Sequence, residues 1–201
     1  MKKLLAILVV LVSGCAVNKG SIDSFTDPSF KPGGISNIAV FPIQNARLAP
    51  AAAQQMNRSI AQGISSTNPG LRIISPSESL RLLNESGVAD EYALFVSDFN
   101  TSGVADSERL KVIGEALGAD AIFQASLLGL ERRDGQYGRN GGETRITITA
   151  SIVETVTGKM VWQASAEGFM RTATTMGSSP QVSEAAQLAV DKISGAIPSL
   201  N

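Results

Sequence analysis

Two runs of alternating apolar and polar residues, 144–156 and 159–169, are separated by little more than Thr157-Gly158. In the first, Ile146, Ile148, Ala150 and Ile152 share one face, and Thr147, Thr149 and Ser151 share the other. In the second, Met160, Trp162, Ala164 and Ala166 share a face. A period of two is that of a half-buried strand, and so short a turn makes the pair an antiparallel hairpin. Its apolar face needs a cover. The last helix, opened by Ser179-Pro180, supplies one with Val182, Ala186, Ala189, Val190, Ile193 and Ile197 on a single stripe.

Upstream, Ser36–Ile43 is a compact run rich in Ile, Val and Phe. It reads as a buried first strand that stops at Pro42 or lies at an edge. A helix from Pro50 carries Met56, Ile60 and Ile64 on one face and is expected to end near Gly63. Asn68-Pro69-Gly70 turns into a short strand, 71–74. Ser75-Pro76 opens the next helix, which closes at Gly87, and 88–103 reads as helical or irregular. Asp106 caps a further helix that ends at Gly118. Residues 119–131 then form a long strand, and 132–142 a polar, Gly-rich loop. The order β-α-β-α-α-β-β-β-α predicts an α/β chain, a mixed α+β sheet with helices packed against it.

The 201 residues include no His and one Cys. Histidine triads and histidine metal ligands are thereby excluded, as are intramolecular disulfides and cysteine-cluster zinc sites. A formal charge of −1 gives no footprint for nucleic acid. The single cysteine has its own explanation. Lys2 and Lys3 precede an apolar run, Leu4–Val12, which as a helix rises only about 14 Å and so reads as a secretory signal rather than a membrane span. It leads into Val12-Ser13-Gly14-Cys15, which resembles the lipobox of bacterial lipoproteins. The resemblance implies cleavage of the signal peptide 1–14, lipidation of Cys15 and, from Ala16 at the next position, an outer-membrane address on the periplasmic face. Several acyl chains on one residue anchor stably. Residues 15–35 are then expected to be the lipidated Cys and a flexible tether, its 19 residues from 16 to 34 spanning at most about 65 Å, followed by a single domain, 36–201.

Three segments carry a wider resemblance: Asn37–Ile43 (NIAVFPI), Leu117–Phe123 (LGADAIF) and Ile146–Trp162 (ITITASIVETVTGKMVW). In this order they resemble a superfamily of bacterial envelope proteins. It includes the curli-secretion channel lipoprotein CsgG, the penicillin-binding-protein activator lipoprotein LpoB and the N-terminal domain of the translocation protein TolB. The resemblance implies a CsgG/TolB-N-terminal-like domain over about residues 36–197. Its motifs are structural, so it implies fold more than function. Channel formation would need long amphipathic hairpins, and the only candidate inserts, 88–105 and 132–142, are too charged or too short. Synthase activation would need a longer reach than the tether gives.

Arg132, Arg133, Arg139 and Arg145 give the 132–142 hairpin a basic rim with Tyr137 as an anchor. Arg132, Arg133, Tyr137 and Arg139 are therefore candidates for a partner surface, against the plainer reading of a solvated loop. The glycines of 134–142 are followed by a strand rather than a helix, which argues against a phosphate cradle. Residues 75–108 are the most acidic stretch and read as solvated helical faces. Glu131, Glu143, Glu154 and Glu167 read as solvent-facing carboxylates rather than a hydrolase pair. Trp162 and Phe123 read as core. Together these features predict a non-enzymatic, outer-membrane-anchored binding or assembly module with no cofactor or metal. Its expected partners are the membrane, through Cys15, and another envelope protein, with a homo-oligomeric secretion component and a synthase activator as alternatives.

Overall fold

A computed structural model describes residues 17–44, 48–136, 141–172 and 178–201. The elements are β1 (Val17–Thr26), β2 (Asn37–Val40), α1 (Pro50–Thr67), β3 (Arg72–Ile74), α2 (Pro76–Ser86) and α3 (Ala89–Ser102). They continue as α4 (Ser107–Leu117), β4 (Ala121–Arg133), β5 (Glu143–Glu154), β6 (Met160–Arg171) and α5 (Val182–Ala196). The strands form one mixed sheet in the order β1-β6-β5-β4-β2-β3. β2 runs parallel to both β3 and β4, and the remaining pairs are antiparallel. The expected mixed α+β domain is what forms.

The hairpin dictates one side of the sheet. Ile146, Ile148, Ala150 and Ile152 lie with Trp162, Ala164 and Ala166 in a core that α5 closes with Ala185, Ala189, Val190 and Ile193 and α1 with Met56, Ile60 and Ile64. Phe123 and Trp162 stack there, ring centroids 6.3 Å apart. On the opposite side α2, α3 and α4 build a smaller core, in which Leu83, Phe95, Leu110 and Ile113 pack on Ala39, Ile74, Ile122 and Val153. Asp106 accepts from the backbone N–H groups of Glu108 and Arg109, and Gly118 closes α4 in the left-handed region at φ 62°, as its position in the sequence requires.

Two expectations are corrected. Residues 17–26, read as tether, form β1, paired over their whole length with β6 from Val17↔Arg171 to Thr26↔Trp162. Helix α1 does not end near Gly63 but runs to Thr67. Gly63 lies inside it because a Cβ there would collide with Ser194 of α5, so the glycine marks a close helix crossing rather than a cap. Of the two readings of 88–103 the helical one holds: residues 89–102 are helical throughout and bury Phe95, which packs this stretch on the sheet.

β1 is fastened at its far end as well. The Asp27 backbone N–H donates to the carbonyl of Val161 at 2.9 Å, and the Lys159 ammonium lies 3.1 Å from the Asp27 carboxylate. The Ser29 hydroxyl and N–H, followed by Lys159, hold the Asp27 carboxyl at about 2, well below its ordinary value. A carboxyl depressed in the folded state stabilises it above the unfolded value of 3.8, and that contribution fades as pH falls toward 2. The urea midpoint of the parent is therefore expected to exceed that of Asp27→Asn at pH 6, with the gap closing between pH 4 and pH 2.

Candidate functional site

The two sides of the sheet are covered unequally. Where α2–α4 end, the remaining face of β4, β5, β6 and β1 has no described element over it. Its residues lie in rows across the strands: Gln124–Ser151–Gln163–Phe25, then Ser126–Thr149–Ser165–Asp23, then Gly129–Thr147–Glu167–Ser21, then Glu131–Arg145–Phe169–Lys19. The polar half of the alternation seen in the sequence thus becomes a flat, open surface. Two large apolar side chains stand out on it, Phe25 at 54% exposure and Leu128 at 66%. At one end of this surface the charges pair among themselves. Arg145 bonds Glu167 at 2.7 Å, Arg171 bonds Glu143 at 2.5 Å, and both guanidinium groups lie over the Phe169 ring, 5.1 and 5.4 Å from its centroid.

At the other end, where the surface meets the last turn of α3, lies a small cleft of about 60 Å³. Gln124, Ser126, Thr149, Ser151 and Gln163 form its floor, and Gln44, Phe99 and Asn100 its wall. It opens into a wider depression that reaches Leu128 and Met160. The wall is braced. Asn100 donates to the Gln44 side-chain oxygen at 3.0 Å. Tyr92 is stacked on Phe41, centroids 4.0 Å apart, and burial raises its hydroxyl pKa above the usual phenol range, keeping it protonated. On the floor the Ser126 and Thr149 hydroxyls meet at 3.1 Å. Gln124 is only 6% exposed, and its side-chain oxygen has no hydrogen-bond partner among the described residues.

The residues singled out in the sequence are placed differently. Arg132 directs its Nε–H to the Ser179 hydroxyl at 3.1 Å, and the Ser179 N–H donates to Asp134 at 2.8 Å. With the Thr144 hydroxyl on the Pro180 carbonyl at 2.7 Å, these bonds strap the start of α5 to the end of the hairpin. Arg133 stays 76% exposed, its nearest carboxylate Glu143 at 4.0 Å. Cys15, Tyr137 and Arg139 lie outside the described residues. Among the carboxylates, Glu143 and Glu167 are engaged by arginines and Glu154 accepts from the Thr157 hydroxyl at 2.7 Å. Among the described residues there is no group of three or more acidic or cysteine side chains placed to hold a metal ion, and no helix is long and apolar enough to cross a membrane.

No protein-family model matches the sequence, and no curated protein matches it. Solved structures do match its fold. A lipoprotein from Neisseria meningitidis, GNA1162, superposes with a TM-score of 0.50 at 16% identity, over 80% of this chain and 99% of that one. A PelC dodecamer from Paraburkholderia phytofirmans, a variant form, gives 0.50 at 14% identity, over 87% and 95%. At these identities the likeness is one of fold, and the fold is one that a bacterial lipoprotein adopts.

The cleft residues Gln44, Asn100, Gln124 and Gln163 were not singled out in the sequence. One signal was available: Gln124 interrupts the otherwise apolar AIFQASLL run of β4. The other three come from a loop, a helix end and a later strand.

Proposed function

We propose that this chain is a lipid-anchored bacterial envelope protein, held at the periplasmic face of the outer membrane through Cys15, whose domain is a non-enzymatic binding and assembly module. The observation that carries this reading is the open half of the sheet. A flat polar surface, its arginines paired with glutamates at one end and Phe25 and Leu128 exposed on it, ending in the edge strand β1, suits docking against another protein. Membership of the superfamily containing CsgG, LpoB and the TolB N-terminal domain is part of the proposal. It is supported by the three matching segments, which fall at β2, at the junction of α4 with β4, and across the β5–β6 hairpin.

A homo-oligomeric secretion or transport component is the second reading. It is favoured by one observation: the PelC structure that shares this fold is a dodecamer. The synthase-activator reading is weakened by β1, which takes up residues 17–26 and so removes the tether that reach would require.

The test is the mass of the full-length, lipidated protein in mild detergent, measured by light scattering with the detergent subtracted. A discrete multimer supports self-assembly. A monomer or dimer that crosslinks in cells from Phe25 or Leu128 positions to another envelope protein supports the adaptor reading. A monomer with no crosslink from either position overturns the assembly role.

A further inference from the structure

We propose that the cleft between α3 and the open sheet face binds an uncharged sugar residue. Three features of the site point to that chemistry. Buried polar groups in folded proteins are nearly always hydrogen-bonded, and one left unpaired is costly. The Gln124 side chain lines the cleft floor and its oxygen is such a group; the oxygen is itself buried, so it takes a donor that reaches the narrow end of the cleft. No ionisable side chain lines the cleft, so an ionic ligand would enter without a counter-charge, while a purely apolar one would strand the four amides. Amide side chains both donate and accept, as hydroxyls do, so the lining is complementary to a polyol. Phe99 on the wall offers a ring surface against which the C–H face of a pyranose would pack.

The floor also argues against a peptide. It is the face of paired strands, whose backbone groups are already used in the sheet, so only side chains are on offer. The wall is ready-made, since Asn100 already holds Gln44 in place. The cleft itself, about 60 Å³, takes in only a hydroxyl-bearing edge of one sugar unit; the rest of that unit and of a longer chain lies in the wider depression of about 570 Å³, within the range of ligand sites.

The experiment is saturation-transfer NMR on the full-length protein in a detergent without a sugar headgroup, with maltotriose and with tri-N-acetylchitotriose as probes. Transfer to the sugar C–H protons is expected, with dissociation constants of about 1 mM, the scale for a small contact area. Gln124→Leu and Asn100→Ala should each weaken binding about tenfold or more, the loss expected for one buried hydrogen bond. Asn100 is exposed on α3, so its variant keeps the test valid if Gln124→Leu fails to fold. The proposal is overturned by no transfer from either sugar at about 10 mM, tenfold above the expected constant. It is equally overturned by transfer unchanged in both variants, or by an uncharged Gly-Ser tetrapeptide binding as tightly as the sugars, which would make this a peptide site.

Discussion

A chain carrying Gly168→Val is expected to melt about 10 °C below the parent, a loss of about 3 kcal/mol, measured by circular dichroism on heating. Gly168 lies on the covered face of β6, opposite Ile146 on β5 and Gly20 on β1. Helix α5 crosses directly above it. A Cβ at Gly168 would run into the carbonyl oxygen of Ala185, a backbone atom that cannot rotate aside. Relief requires lifting α5, which carries Ala189, Val190 and Ile193 into the main core. Interiors are packed too tightly to absorb such a shift without opening voids elsewhere. Gly20 is a milder case, because the first atoms met there belong to the flexible Lys192 side chain. Ser165→Ala, three residues away along β6 and on the open face, is the control, expected to stay within about 0.5 kcal/mol of the parent.

Removing residues 17–26 is expected to lower the urea stability by at least about 2 kcal/mol and to make the protein associate on concentration. The strand contributes a full ladder of pairings to β6 and the partly buried Ile22 to the main core. Without it β6 becomes the sheet edge over twelve residues, a template for pairing with other chains. A chain starting at residue 36, the boundary that the sequence pattern suggests, is the version to compare. The readouts are the urea midpoint and the light-scattering mass across a concentration series. A truncated chain as stable and as monodisperse as the parent would mean that β1 is an ornament of the sheet rather than part of it.

What the sequence conveyed and what it withheld follow from the same physics. The β5–β6 hairpin was legible because both faces of each strand have a fate, one buried and one wet, and the residues alternate to match. β1 was not legible because it is an edge strand whose covered face needs little apolar area: of Asn18, Gly20, Ile22 and Ser24, only Ile22 is a partly buried apolar residue and Gly20 lies against α5, while Asn18 and Ser24 stay exposed. A run of Asn, Lys, Gly and Ser with one isoleucine has the composition of a linker, and only the tertiary pairing distinguishes the two. α3 gave a fuller signal, Tyr92, Phe95, Val96 and Phe99 at helical spacing, partly hidden by acids on its outer side. The cleft was least legible of all. Its floor joins β4 to β5 and β6 across the sheet, and its wall joins a loop after β2 to the end of α3, 56 residues further on. Local periodicity carries no information about such a meeting.

The stitching of β1 into the sheet also bears on how copies of the protein would meet. With Cys15 acylated as proposed, Ala16 alone separates the anchored residue from the first sheet residue, a span of at most about 7 Å between the Cα atoms of residues 15 and 17. A domain on a long leash samples a hemisphere and meets its neighbours at every height and tilt. With that anchor there would be no such leash, and every copy would carry its β1 edge at nearly the same level above the lipid. Encounters between anchored copies then become a two-dimensional search with the edges already aligned, so that even a weak face-to-face contact would be sampled far more often in the membrane than by the same domain free in solution.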